Sequence, residues 1–179
     1  RADGKVYRPG DKVLTPFASV AWFVPEKTVA LNAGDDFAAV CGKLDKVCSN
    51  KNLFYAVALK GRFIRMKTRS VPKQKKPYPA LVKVTAHQPV FKMRDVEGVV
   101  IGFRCPPYVN GINVPGWHLH FLSKDRTRGG HVLDFKVASG TADIDELFRF
   151  YMTLPHGKSG FSQVDLGRDR TQELYKVEK

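Results

Sequence analysis

Residues 116–135, GWHLHFLSKDRTRGGHVLDF, carry the clearest structural pattern of this chain and its candidate site. Apolar and polar residues alternate on both sides of a polar, glycine-rich segment, and this pattern predicts two strands joined as a β-hairpin. Residues two apart in a strand point to the same face, so His118 and His120 project together while Leu119 faces the other way. We expect His131, at the start of the returning strand, to come back beside His120.

Three imidazoles that converge in this way are candidate ligands of a catalytic metal ion. Neutral imidazole nitrogens suit Zn, Fe, Ni, Cu or Mn, and three histidines leave at least one coordination position open. A single histidine in a strand is more often a packed or surface residue. The third histidine, beside glycines that permit close backbone approach, favours a metal site formed by His118, His120 and His131. His87 and His156 lack such neighbours and are interpreted as ordinary histidines.

The rest of the chain is also rich in β-strand signals. Alternating runs bounded by Gly, Pro, Asn or Asp predict strands over residues 17–24, 53–59, 62–69, 96–104, 117–122, 131–138 and 147–153. Lys60 and Gly61 are predicted to form a tight turn between the second and third of these strands. Helices are predicted over residues 35–47, 80–87 and 171–177. The expected fold class is α+β and β-rich: a mixed β-sheet packed with a partly open β-barrel half that carries the histidines.

The chain is predicted to have two parts. Residues 1–92 are expected to form an α/β sheet half that is incomplete at its N-terminus, and residues 93–179 a β-barrel-like metal-binding half. The chain starts with Arg1 rather than Met, and its first residues already have the pattern of a strand interrupted by turns. We therefore expect it to begin inside a longer protein.

Composition narrows the classes of function. Of the 179 residues, 43% are apolar and 26% are charged, which is enough for a packed core. No apolar run reaches the roughly 18 residues that a membrane span needs, so no membrane partner is expected. The three cysteines are odd in number and have no CxxC spacing. Buried thiols are therefore expected, rather than a disulfide framework or a thiolate zinc site.

The net charge of +13 first suggests a nucleic-acid-binding module. The excess is local, because residues 46–94 hold thirteen Lys and Arg and no Asp or Glu. That module would need aromatic residues interleaved with the basic ones, and residues 60–83 offer only Phe63 and Tyr78. We therefore expect no nucleic-acid partner.

Two further residues are candidates for the site. Arg69 ends a predicted strand, and a guanidinium can hold a carboxylate through two parallel hydrogen bonds. Glu178 is one of the carboxylates that follow the histidines, and by itself it would be interpreted as a terminal charge. Neither residue type is specific enough to assign a role without further information.

Four segments together resemble the α-acetolactate decarboxylase family. They are NLFYAVALKG (52–61), KTRSVPKQKKPYP (67–79), QPVF (88–91) and GVVIGFRCPPYVNGINVPGWHLHFLSKDRTRGGHVLDF (98–135). The resemblance is dense over residues 52–135 and thins after residue 154. It implies a metal-dependent carboxy-lyase, with zinc the expected ion. The implied substrate is a small anionic keto acid, 2-hydroxy-2-methyl-3-oxobutanoate, which is converted to acetoin and carbon dioxide in the butanediol pathway.

The resemblance also implies roles for individual residues. His118, His120 and His131 match the metal-binding histidines, Arg69 matches the active-site arginine, and Glu178 matches a glutamate near the C-terminus that reaches back to the metal. A second glutamate is implied upstream of Arg1. In that chemistry the metal ion chelates the ketone and the hydroxyl group, the arginine orients the carboxylate, and one of the two glutamates protonates the enediol.

Two other functions are alternatives to the decarboxylase. A cupin-like metal dioxygenase or isomerase also carries H-x-H on a strand, but the glutamate that usually follows is absent from residues 121–124. The basic nucleic-acid-binding module is the second alternative.

The family resemblance makes a homodimer the expected assembly. A cytoplasmic location is expected, with secretion left open.

Overall fold

The computed structural model describes residues 2–13, 15, 17–75, 79, 81–85, 88–155, 161–165, 167, 169, 171 and 172. The strands are β1 (Lys27–Leu31), β2 (Phe54–Arg69), β3 (Val90–Cys105), β4 (Gly116–Ser123) and β5 (Gly129–Leu147). The helices are α1 (Phe37–Val47) and the short α2 (Leu81–Thr85), with single 3₁₀ turns at Pro107–Val109 and Phe161–Gln163. Within the described residues, none of the helices has the length and apolar character needed to cross a bilayer.

The strands form one sheet in the order β1-β5-β2-β3-β4, and β4 pairs again with β5. This second pairing closes four of the strands into a ring through three residue pairs, one of which joins His120 to His131. The partly open β-barrel is confirmed in this form. Long strands can curve this sharply where glycines let backbones approach. Gly61 pairs with Gly98 on one side and Gly140 on the other, and a Cβ at any of the three would collide with a neighbouring backbone.

The expected mixed sheet is wrong, because every strand pair within the described residues is antiparallel. Helix α1 connects β1 to β2, a connection that often makes two strands parallel neighbours. Here β5 lies between them and pairs antiparallel with both. The sheet and the ring are therefore one structure rather than two packed layers.

Several predicted strands and helices differ from those in the structure. The strands predicted over residues 53–59 and 62–69 are one continuous strand that begins at Phe54, and the turn predicted at Lys60 and Gly61 is wrong because both residues pair with β3 and β5. Residues 17–24 and 148–153 form no strand. The helix predicted over 35–47 is confirmed as α1. Of the helix predicted over residues 80–87, the structure describes only residues 81–85, which form α2. Of the helix predicted over residues 171–177, it describes only Thr171 and Gln172, and both are helical.

The core lies on one face of the curved sheet. Phe63, Phe121 and Phe135 pack edge to face, with ring centroids 5.5–5.8 Å apart, and Phe37 brings α1 onto Phe135 at 5.6 Å. Full burial of such a side chain stabilises the fold by roughly 1.5–3 kcal/mol. This packing fixes which face of each strand is covered. The opposite face, called here the site face, is left for other side chains.

The two-part division at residues 92 and 93 stays a prediction. These two residues are neighbours within β3, which pairs with β2 along its length.

Candidate metal centre

The core determines where the histidines point. Leu119 and Phe121 are buried in the core, being 1% and 3% exposed, so the alternating residues His118 and His120 lie on the site face of β4. The five-residue turn that follows is held by Ser123, whose Oγ accepts the backbone N–H of Arg128 at 3.0 Å. This hairpin brings the returning strand back in register, as the sequence predicted.

The three imidazoles meet at the junction of β4 and β5. The Nε2 atoms of His118 and His120 are 3.0 Å apart, and the ring of His131 stands nearly perpendicular to both at centroid distances of 4.8 and 5.3 Å. One nitrogen from each ring lies within 4.8 Å of the others. Nitrogens bound at about 2.0–2.1 Å to one tetrahedral ion would be roughly 3.3 Å apart. The donor set therefore fits a metal ion, and within the described residues no other group of three His, Cys, Asp or Glu does so.

Burial lowers the pKa of all three histidines. It is the largest cause of each shift, and the positive charge of Arg69 contributes to each as well. Together with the neighbouring histidines these causes lower the pKa of His131 to about 2 and that of His120 to about 4. His120 is exposed by surface area, yet protein atoms crowd its ring and remove much of its hydration. The rings are neutral at pH 7, which is the form that binds metal ions.

Arg69 lies beside the histidines, as its position in the sequence could not show. It is the last residue of β2, is 5% exposed, and pairs in register with His131. Gly130 makes this approach possible, because a Cβ there would lie 2.6 Å from the carbonyl oxygen of Arg69. The site thus combines three neutral donors with one buried positive charge. Glu178, His87 and His156 lie outside the described residues.

A cavity of about 540 Å³ opens beside His118 and His120. Its floor is the site face of β2 and β3, and its roof is the segment of residues 17–23, called here the strap. The strap is not predictable as part of the site from its own residues, because their alternating pattern predicts a strand. The signal that could have separated the two is Pro25, which follows the strap and interrupts any continuous strand into β1.

A partly closed antiparallel ring with three neutral imidazoles on one face defines the chain as a β-protein with a candidate three-histidine metal centre. The family model described as alpha-acetolactate decarboxylase matches residues 1–168. The chain belongs to the alpha-acetolactate decarboxylase family, and the sequence-based resemblance is confirmed.

Individual relatives agree with this assignment. An alpha-acetolactate decarboxylase of Methanosarcina mazei is 41% identical over 100% of this chain and 62% of its own length. One of Methylococcus capsulatus is 39% identical over 99% of this chain and 68% of its own length. The crystal structure of alpha-acetolactate decarboxylase from Bacillus subtilis superposes with a TM-score of 0.95 at 31% identity, covering 99% of this chain and 76% of that one. The chain therefore spans about two thirds of the length of the curated relatives it matches.

Proposed function

We propose that the protein decarboxylates α-acetolactate to acetoin and carbon dioxide. His118, His120 and His131 are proposed to hold a divalent ion, with zinc the expected one. The observation that carries this proposal is the meeting of three neutral imidazoles and a buried arginine in a chain of this family. The cupin-like and nucleic-acid-binding alternatives have no comparable support from the family match.

A divalent ion held by His118, His120 and His131 would supply Lewis-acid polarisation of the substrate. The chain's own part is to present three unprotonated nitrogens from two paired strands, so that the donor set is formed before the ion arrives. The rigid hairpin and the core packing of Leu119 and Phe121 hold the rings in place. Such preorganisation is what a site needs to act on charge that develops during a reaction.

Arg69 is proposed to bind the substrate carboxylate. Its guanidinium is buried beside the histidines, and a charge-assisted hydrogen bond is stronger in such surroundings than in water. When the carboxylate leaves as carbon dioxide, the electron pair of the broken C–C bond moves toward the ketone and leaves an enediolate, which one proton delivered to carbon converts to acetoin. Arg69 thus orients the group that departs, and the histidine side of the site faces the oxygens that gain charge.

The last step is proton transfer to the carbon that lost the carboxylate. Within this chain the proposed donor is Glu178, and the resemblance implies a second glutamate upstream of Arg1. A carboxylic acid held on one side of the enediolate would deliver the proton to one face and give one enantiomer of acetoin.

A direct test uses the whole protein, loaded with a divalent ion, and a colorimetric acetoin assay on α-acetolactate. We expect acetoin to form and Arg69→Met to lower kcat/KM by about 100-fold or more, because a buried carboxylate would lose its charged partner. Arg69→Lys keeps the charge but lacks the two-pronged geometry of a guanidinium. Its kcat/KM should fall between those of the wild-type protein and Arg69→Met. Metal content should be the same in all three proteins. A metal-loaded wild-type protein that leaves acetolactate unchanged would overturn the proposal.

A further inference from the structure

We propose that the cavity beside His118 and His120 binds an alkyl substituent of the substrate, and that Ala56 and Ala58 on its floor set the length of chain that it accepts. This inference rests on the proposed decarboxylase function. It extends the substrate class from acetolactate to 2-hydroxy-3-oxo acids whose methyl groups are replaced by chains of three or more carbons.

The strand register builds the floor of the cavity from two cross-strand rows, each three strands wide. They are Ala56–Phe103–His118 and Ala58–Ile101–His120. Residues directly opposite one another in an antiparallel sheet lie on the same face, so all six share the site face. Neighbouring strands are about 4.8 Å apart, which puts the alanines roughly 10 Å from the strand that carries the histidines. The cavity therefore extends well beyond the space next to the imidazoles.

The strap forms the roof over these rows and is attached at its C-terminal end. The backbone N–H of Val24 donates to Oδ2 of Asp145 at 2.9 Å, and that of Glu26 donates to the carbonyl oxygen of Ile144 at 2.9 Å. Phe17 and Phe23 line the cavity from this side. None of the described residues that line the cavity is Asp, Glu, Lys or Arg. A space whose lining holds no charged side chain favours a hydrocarbon chain over a carboxylate, whose proposed partner is Arg69.

The size of the cavity exceeds what a methyl group requires. Its volume of about 540 Å³ falls within the roughly 300–1,000 Å³ of pockets that enclose drug-sized ligands. The two alanines account for part of that space, because they carry the smallest side chains on the floor and are only 5% and 8% exposed beneath the strap. A larger residue at either position would fill the far end of the cavity.

The test compares α-acetolactate with two homologues in the whole, metal-loaded protein. In one, propyl replaces the methyl group at C2; in the other, propyl replaces the methyl group on the ketone. We expect at least one homologue to be decarboxylated with kcat/KM within about tenfold of acetolactate. Ala58→Leu should lower the ratio of its kcat/KM to that of acetolactate by about tenfold or more, the usual effect of removing room for one or a few methylenes.

Two further variants make the result decisive. Ile101→Ala removes side-chain volume from the same floor and should raise that ratio, which keeps the test valid if Ala58→Leu fails to fold. Ala30→Leu, on an exposed position of β1 that does not line the cavity, should leave the ratio unchanged. If neither homologue reacts, or if the ratio stays constant in both cavity variants, this inference is wrong while the decarboxylase function stands. If acetolactate itself is not consumed, both fail.

Discussion

The three cysteine thiols of the chain lie in surroundings that suppress their ionisation. Burial is the largest cause in each case, and it raises the pKa of Cys41 to about 12 and those of Cys48 and Cys105 to about 11. All three are free, as the absence of a CxxC spacing predicted. Composition could predict their lack of pairing, whereas the pKa values depend on neighbours that only the folded chain supplies.

This environment predicts slow thiol chemistry. Since the thiolate is the reactive form, alkylation of these three thiols at pH 8 should be on the order of 100-fold slower in the folded protein than in the urea-unfolded protein. Mass spectrometry after timed iodoacetamide treatment measures each site. Rapid modification of Cys48 or Cys105 in the folded protein would contradict the burial described here.

At the scale of elements, Asp45 joins α1 to the histidine strand. Its Oδ1 accepts from Nε1 of Trp117 at 3.0 Å and from Nε of Arg104 at 2.9 Å. Trp117 immediately precedes His118, so this carboxylate ties the helix to the start of the proposed metal site. The Arg104 side chain is only 12% exposed, and loss of its charged partner would leave it poorly compensated.

We therefore expect Asp45→Ala to lower the free energy of unfolding by about 1–2 kcal/mol. Asp45→Asn keeps an acceptor for Trp117 and should cost less. Glu97→Ala removes an exposed ion pair with Lys124 and serves as the matched control, with a change of about 0.5 kcal/mol or less. Urea titration followed by circular dichroism measures all three; equal effects of Asp45→Ala and Glu97→Ala would argue against the proposed connection.

Sequence patterns predicted the elements whose partners lie nearby. The histidine hairpin is such a case, because alternation, turn and return strand occupy one short stretch and fix the pairing of His120 with His131. Long-range pairing was not predictable in this way. Residues 17–23 alternate as a strand does, yet β5 pairs with β1 and leaves them as the strap. Gly61 resembles a turn residue, but it lies where three bent strands approach closely.

At the scale of the whole molecule, part of the excess positive charge lies in two cross-strand pairs of like charge. Arg65 lies directly opposite Arg94, and Lys67 directly opposite Lys92, all four exposed. Like charges in such positions are destabilising, and only Arg65 has a described carboxylate partner, Asp134 at 2.9 Å. Lys67 precedes Arg69 by two residues, or roughly 7 Å along the strand. Composition could show that the charge is local, but the like-charge pairs follow from a register that composition does not determine.

This charge should attract the proposed anionic substrate. At low ionic strength, replacing both Lys67 and Lys92 by Gln should lower kcat/KM for acetolactate about two- to fourfold, and salt near 0.5 M should remove the difference. The double replacement by Arg keeps the charge and is the control. Indifference of kcat/KM to ionic strength in the wild-type protein would contradict this expectation.

The homodimer and the cytoplasmic location stay predictions.

His118, His120 and His131 are proposed to hold the divalent ion on which decarboxylation depends. Elemental analysis of the purified whole protein, beside an acetoin assay, tests this proposal most directly. We predict about one ion per chain in the wild-type protein and in the control His87→Ala, and loss of both the ion and acetoin formation in His118→Ala. A His118→Ala protein that keeps its full metal content would show that these histidines do not hold the ion.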